Sequence, residues 1–292
     1  VARFSYGGQA VIEGVMMRGP ASWAVAVRRP DETVVVDRHP RAAAVHRYPW
    51  LKLPVLRGVA VLWEALVLGV AALTYSARQA AGDDVKLGRL ELAGTVLLAV
   101  ALAVILFLAL PALMAHLAQG FVRGGLAQNL VEGLVRLLVF LAYVVVIGWF
   151  PDIRRVQAYH GAEHKVINAF EAGAELEVSA VRTFSTFHPR CGTSFVFLVL
   201  VVSIFVFSLV DHRVLWWRLA SRLVLLPVVA GLAYELVRLS NDFYHTPWGR
   251  LVAAPGRFLQ GLTTREPDDG QIEVALVALR SVLEGGGETR VR

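Results

Sequence analysis

The sequence predicts a mainly α-helical, polytopic membrane protein. It has about four spans, one further interfacial or re-entrant helix, and a small cytoplasmic α+β portion. Three observations carry this. The 292 residues are 56% hydrophobic, 18% charged and have a mean hydropathy of +0.57, whereas soluble domains carry about 25% charged residues. The apolar residues come in blocks, the longest of them able to cross about 30 Å of hydrocarbon. The polar remainder collects at both ends of the chain and in one central loop. A net charge of +6 and a pI near 9.8 fit cytoplasmic loops facing anionic lipid, so the bilayer is the expected partner and nucleic acid is not. The single cysteine, Cys191, excludes an internal disulfide and leaves a free thiol or a metal ligand.

Residues 1–53 form a β-rich, cytoplasmic N-terminal segment. Val1 to Pro20 has neither the apolar core nor the small-residue cleavage site of a signal peptide, and none is expected. Gly7 to Pro20 mixes glycines with β-branched residues, which predicts a short strand between tight turns. Trp23–Arg29 and Thr33–His39 flank Pro30-Asp31-Glu32 and predict a hairpin. The first apolar run, 54–75, carries Arg57 and Glu64. A charge at bilayer centre costs at least about 2.5 kcal/mol, which makes an interfacial or re-entrant helix as plausible as a span. Gly82-Asp83-Asp84 predicts a turn.

Residues 92–240 form the helical membrane domain. Leu92–Leu113 has no charge and spans, with Pro111 kinking or ending it. Leu134–Phe150 follows, with Arg136 snorkelling to the interface. Ser194–Val210 and Leu223–Leu239 complete four spans. If all five runs cross, the two basic ends lie on opposite sides; with 54–75 not crossing, both termini and the basic loop 151–193 share the cytoplasmic side, which positive-inside bias favours. The expected location is the inner (cytoplasmic) membrane. In the tail, 241–292, the segment from Pro255 onward is soluble and Gln271–Leu283 has amphipathic spacing that predicts a helix packed on the cytoplasmic portion and ended by Gly285-Gly286-Gly287.

The chemistry gathers at the cytoplasmic face. His160 and His164 are four apart and share one face of a helix, within reach of one metal ion, and Glu163 lies on the same edge. His160-x-x-Glu163-His164 is the pattern of inverted zinc peptidases, in which two imidazoles bind zinc and the carboxylate is general base. The plainer alternative is an amphipathic helix with solvated histidines. His188 and Cys191, three apart around Pro189, form a second candidate ligand pair; alternatively Cys191 is a buried residue beside a Thr193 or Ser194 cap, or a nucleophile with a histidine base. Glu235, near the inner end of the last span, is a further candidate ligand, or pairs with an arginine such as Arg238. Arg154 and Arg155 read as headgroup anchors, and Glu13, Glu64 and Arg57 as members of structural pairs.

Together, Gly7–Gly19, Tyr159–Lys165, His188–Ser194 and Leu262–Pro267 resemble, in this order and over nearly the whole chain, the YqhQ family of bacterial membrane proteins. The resemblance implies a membrane protein labelled a predicted metal-dependent enzyme, with no catalytic residues assigned. Similarity to the inverted zinc peptidases covers only His160, Glu163 and His164; their third ligand is a distant downstream glutamate, for which Glu235 is the counterpart here.

The leading expectation is a zinc-dependent hydrolase at the cytoplasmic membrane surface. His160 and His164 bind the metal, His188, Cys191 or Glu235 completes the site, and Glu163 is the base. The alternative is a non-enzymatic scaffold or regulator of membrane-protein biogenesis, with other membrane proteins as partners and the polar cluster as a structural network. Homo-oligomers are compatible with either. Transport through Glu64 and Glu235 is the third reading, opposed by the lack of repeat symmetry.

Overall fold

A computed structural model describes residues 6–40, 49–81, 88–122, 124–210, 214–243 and 246–284. The expected turn at Gly82-Asp83-Asp84 and the glycine run 285–287 lie outside them.

The N-terminal segment is a four-stranded antiparallel sheet in sequence order: β1 (Gly7–Val11), β2 (Gly14–Arg18), β3 (Ser22–Arg28) and β4 (Val34–Pro40). The expected hairpin is β3–β4. The stretch read as one strand is instead a hairpin, β1–β2, whose two-residue turn is Ile12-Glu13. Glu13 takes a left-handed conformation (φ 52°) with no glycine to signal it. Its carboxylate is held by Arg155, with Nε to Oε1 at 2.6 Å, so Arg155 braces the sheet and does not anchor headgroups.

Ten helices follow in the described residues: α1 (Leu56–Ala81), α2 (Arg89–Val104), α3 (Leu110–Leu117), α4 (Gly125–Ile147), α5 (Pro151–Glu171), α6 (Val178–Val181), α7 (Gly192–Ser208), α8 (Leu215–Asp242), α9 (Pro247–Thr263) and α10 (Asp269–Glu284). One π turn, Ile105–Ala109, joins α2 to α3 in a single rod. Four helical segments are long and apolar enough to cross a membrane: Leu56–Ala81, Ala93–Leu117, Gly125–Ile147 and Trp216–Ser240. The apolar helix α7 has 17 residues. Length alone thus adds α1 to the crossing candidates and leaves α7 at the short limit.

The sheet is sandwiched. Val15, Met17, Ala24 and Ala26 face α5 and α10 through Tyr159, Ala162, Val166, Ile272 and Leu279. The other face, Val11, Met16, Trp23, Val25 and Val27, packs on Ala72, Leu68 and Tyr75 of α1. The alternation of strand side chains accounts for this two-sided burial. The start of α1 docks against α8: a Cβ on Gly58 would fall 2.8 Å from Tyr234 Cβ, and one on Gly231 would fall 2.6 Å from the Val55 carbonyl. Small residues let these helices touch.

Two spans begin earlier than expected. In α4 and α8 the extra turns carry Gln128, Asn129, Glu132, Arg218 and Arg222, all buried. Glu132 pairs with Arg136 (2.7 Å) and Arg222 (3.1 Å), and Arg222 also reaches Asn129 Oδ1 (2.9 Å). Arg136 does not snorkel; it is 4% exposed and inside this network. Its Nε donates to the Phe107 carbonyl at 2.9 Å. Pro111, four residues on, has no N–H to give that carbonyl. The rod continues through Pro111, widened by the π turn just before it.

Helix α9 was not foreseen. Thr246 caps it, donated to by the Gly249 N–H at 3.1 Å, and Pro247 occupies its first turn.

Candidate functional site

Helix α5 starts four residues after α4 ends, with Pro151 in its first turn. It therefore carries His160, Glu163 and His164 away from the end of a span and under the sheet. A buried backbone path runs across it. Gln157 binds the Leu262 and Arg265 main chain, and a Cβ on Gly161 would fall 2.0 Å from the Arg265 carbonyl. Gly161 thus lets residues 262–267 lie against the helix. Lys165 holds the carbonyls of Arg182 and Phe184, each at 2.7 Å, and Asn168 holds those of Ser185 and Phe187, each at 2.9 Å. These bonds fix the approach to His188 and Cys191.

The two crossing segments orient the histidines. His160 Nδ1 lies 3.0 Å from the Thr263 carbonyl and His164 Nδ1 lies 2.6 Å from the Thr186 carbonyl. A carbonyl only accepts, so each Nδ1 carries the proton and each Nε2 keeps its lone pair. His160 Nε2 is 3.3 Å from Cys191 Sγ. The ligating atoms of His160, His164 and Cys191 all lie within 4.8 Å of one another. Cys191 is also the N-cap of α7, accepting from the Thr193 N–H at 3.5 Å, so the cap is the cysteine itself.

Electrostatics favour ligation by neutral imidazoles. Burial lowers the pKa of His160, brings that of His164 down to about 3 with the neighbouring His160 adding to it, and brings His188 to about 4. Burial pushes the Cys191 thiol up to about 11, against the Thr193 hydrogen bonds. Glu163 is 5% exposed and its carboxyl is pushed up to about 7 by burial, opposed by the Gly8 N–H at 3.0 Å.

Of the other expected residues, His188 lies beside the cluster and Glu235 does not. His188 is buried beside His164, ring centroids 5.8 Å apart, but its Nδ1 accepts from the Arg190 N–H at 3.3 Å. Its buried Nε2 lies 3.5 Å from Glu171 Oε2 without a hydrogen bond among the described residues, and it stands outside the group of converging ligand atoms formed by His160, His164 and Cys191. Glu235 is not brought to the cluster. It is bound by Arg57 Nε at 2.6 Å and by the Val55 N–H at 3.3 Å, in place of Arg238 or a zinc ion. Arg57 accordingly pairs with Glu235 and not with Glu64.

A cavity of about 500 Å³ opens over the cluster. Its floor is α5, with His160, Glu163 and His164; its walls are β1, Ala65 and Leu68 of α1, and the turn from His188 to Thr193. Gly8, Thr186 and Thr263 act here through their backbones, so no side-chain type announces them; the only trace in the sequence is the glycine pair Gly7-Gly8 and the doublet Thr263-Thr264.

The chain is 35% identical over 293 residues, covering 96% of this chain and 92% of the relative, to the uncharacterized protein YqhQ of Bacillus subtilis (strain 168). No solved structure matches it. The family model described as protein of unknown function (DUF1385) matches residues 53–285, which leaves the sheet outside the match and includes the whole histidine–cysteine cluster. The chain is thus a relative of YqhQ and belongs to the DUF1385 family.

Proposed function

We propose that this protein is a zinc-dependent hydrolase working at the cytoplasmic surface of the bacterial inner membrane. One observation carries the reading. Two imidazoles with fixed tautomers converge with a thiol beside a buried carboxyl, on the floor of a cavity. The donor set suits zinc, which takes nitrogen and sulfur. Tetrahedral bonds of ordinary length separate a nitrogen and a sulfur ligand by about 3.6 Å, close to the 3.3 Å between His160 Nε2 and Cys191 Sγ. Three protein ligands leave a fourth position toward the cavity, the arrangement of catalytic and not structural zinc. The carbonyls of Thr263 and Thr186 orient the imidazoles from behind.

When bound, the metal supplies Lewis acidity toward a substrate carbonyl or phosphoryl oxygen and toward water. Glu163 supplies the proton transfers. Its carboxylate takes a proton from the attacking water and returns it to the leaving group. The Gly8 N–H keeps the carboxyl turned into the cavity.

Position supports the membrane-surface assignment. The cluster sits where α4 ends and α7 begins, and the Glu132 network lies 15 residues up α4 from Ile147, about 22 Å along the axis. The two polar centres bracket the apolar part of the bundle. Positive-inside bias sets the histidine end, with both termini, in the cytoplasm.

The test is elemental analysis of detergent-purified protein beside a His160→Ala/His164→Ala variant. Near-stoichiometric zinc, lost in the variant, is the expected result. A folded, chelator-free preparation without metal would sink the enzyme reading and favour a membrane scaffold.

A further inference from the structure

The sheet has two edges, and they are built differently. The β4 edge is guarded, with Asp37, Arg38, His39 and Pro40. Charges and proline on an edge discourage pairing with another strand. The β1 edge reads Gly7-Gly8-Gln9-Ala10-Val11, with no charge, no proline and no bulge. Such an edge is a template for a further strand.

Hairpin register shows which groups that edge presents. Val11 and Gly14 flank the two-residue turn, so they exchange hydrogen bonds, as do Gln9 with Met16 and Gly7 with Arg18. Gly8 and Ala10 alternate with them and turn their N–H and C=O outward. The Gly8 N–H confirms this parity by donating to Glu163 Oε1, across from β2. Ala10 lines the cavity two residues further on, and among the described residues no hydrogen bond to its outward groups is recorded. A Cβ on Gly8 would fall 2.3 Å from the Met16 carbonyl of β2 and 3.2 Å from Glu163 Cγ, so the strand and α5 approach too closely there for any side chain.

We propose that β1 is the substrate-docking edge of the cavity, and that its ligand is an extended polypeptide segment that adds to the sheet as a fifth strand. This rests on the hydrolase reading for its chemistry and makes the scissile group a peptide bond. The added strand pairs with the Ala10 N–H and C=O and the Gly8 C=O, and runs over Glu163 between β1 and the His188–Thr193 turn. Its main chain supplies the affinity, as in other strand-addition sites, and its side chains point alternately toward α1 and α5. Water adds across the peptide bond. Its oxygen bonds to the carbonyl carbon, the C–N bond breaks, and the amine leaves with the proton carried by Glu163.

The experiment measures binding apart from turnover. The probe is a pool of fluorescein-labelled random octapeptides, followed by anisotropy with Glu163→Gln protein in detergent. Two changes remove the strand bonds. Ala10→Pro deletes an outward N–H and spares the β1–β2 ladder. N-methylating every amide of the pool removes the donors from the ligand side. Each change is expected to weaken binding about tenfold, the worth of one or two hydrogen bonds. The methylated pool decides the matter if the proline variant fails to fold. Binding indifferent to methylation, or a cavity occupied by dihexanoyl phosphatidylglycerol and not by peptide, would overturn the proposal. Methylation-sensitive binding without cleavage by the native protein would sink the hydrolase and leave the docking edge standing. Cleavage of small esters with methylation-indifferent peptide binding would do the reverse.

Discussion

Glu163 makes a pH-dependent contribution whose sign follows from its shift. Its folded pKa, about 7, lies above the ordinary 4.5. Between those values the native protein holds a proton that the unfolded chain has lost, so stability falls as pH rises from 4.5 through 7. A shift of this size is worth about 3 kcal/mol at its upper limit. Glu163→Gln should therefore raise the Tm of metal-free protein more at pH 8 than at pH 5, read by differential scanning fluorimetry. An equal gain at both would mean that the carboxyl is not held in its neutral form. Gly161 is the second test at this scale. Alanine normally favours a helix interior over glycine by about 1 kcal/mol. Here its methyl meets a backbone carbonyl at 2.0 Å, which no side-chain rotation relieves. Gly161→Ala should cost about 1–3 kcal/mol instead. It should also weaken zinc binding about 10–100-fold, because the Thr263 carbonyl that orients His160 sits on the displaced segment; competition with a chelator measures it. The residues themselves were the most legible part of the site. His160, Glu163, His164 and Cys191 stand out by type and spacing. What spacing does not carry is placement. His188 has the right identity and distance in sequence, and it stands outside the group of converging ligand atoms.

Among the elements, the apolar runs were found and their ends were not. Hydropathy drops where α4 and α8 begin, because Glu132, Arg136, Arg218 and Arg222 lie there, yet the helices continue. Charges at membrane depth are tolerated when they satisfy each other, and periodicity cannot show a partner 90 residues away. In the network one carboxylate serves several guanidiniums: Glu132 touches Arg136 and Arg222, with Arg218 at 3.9 Å. Removing it leaves buried cations without their counter-ion, a loss of about 3–5 kcal/mol in comparable cases. Glu132→Gln should thus lower the detergent Tm far more than Glu91→Gln, whose carboxylate caps the Gly88 N–H at an exposed helix end. A similar Tm for the two would show that solvent screens the network. The start of α1 follows the same logic. Val55 has φ 69°, unusual for a β-branched residue, and its N–H is held by Glu235. Glu235 is thereby a structural key for α1.

At the scale of the molecule, α1 decides the topology. By length and composition it qualifies to cross. Its contacts point the other way. Its C-terminal half packs on the sheet through Ala72 and Tyr75, and Gln79 accepts from Arg29 Nε at 2.7 Å. The sheet in turn packs on α5, at the histidine end of the bundle. The N-terminal half of α1 reaches only Gly231, 11 residues before the end of α8 and about 16 Å along its axis, short of the Glu132 network. These contacts favour an α1 whose N-terminal end lies only part of the way into the bundle, with the α2–α3 rod, α4, α7 and α8 as the four expected crossings. Short as it is, α7 links the two polar centres, from Cys191 at one to Phe207, under Arg222 at 4.5 Å, at the other. This arrangement puts Asp31 and Glu284 on one side and Leu209 on the other. Single cysteines at these exposed positions, probed with a membrane-impermeant maleimide, should separate accordingly. Leu209→Cys should react in intact cells with a permeabilised outer envelope, and Asp31→Cys and Glu284→Cys only in inverted vesicles. The native protein, with Cys191 buried, is the blank. If α1 crossed fully, residues 31 and 284 would lie on opposite sides, and Asp31→Cys would label together with Leu209→Cys. That outcome would also separate the sheet from α5 and α10, and with it the cavity from its docking edge.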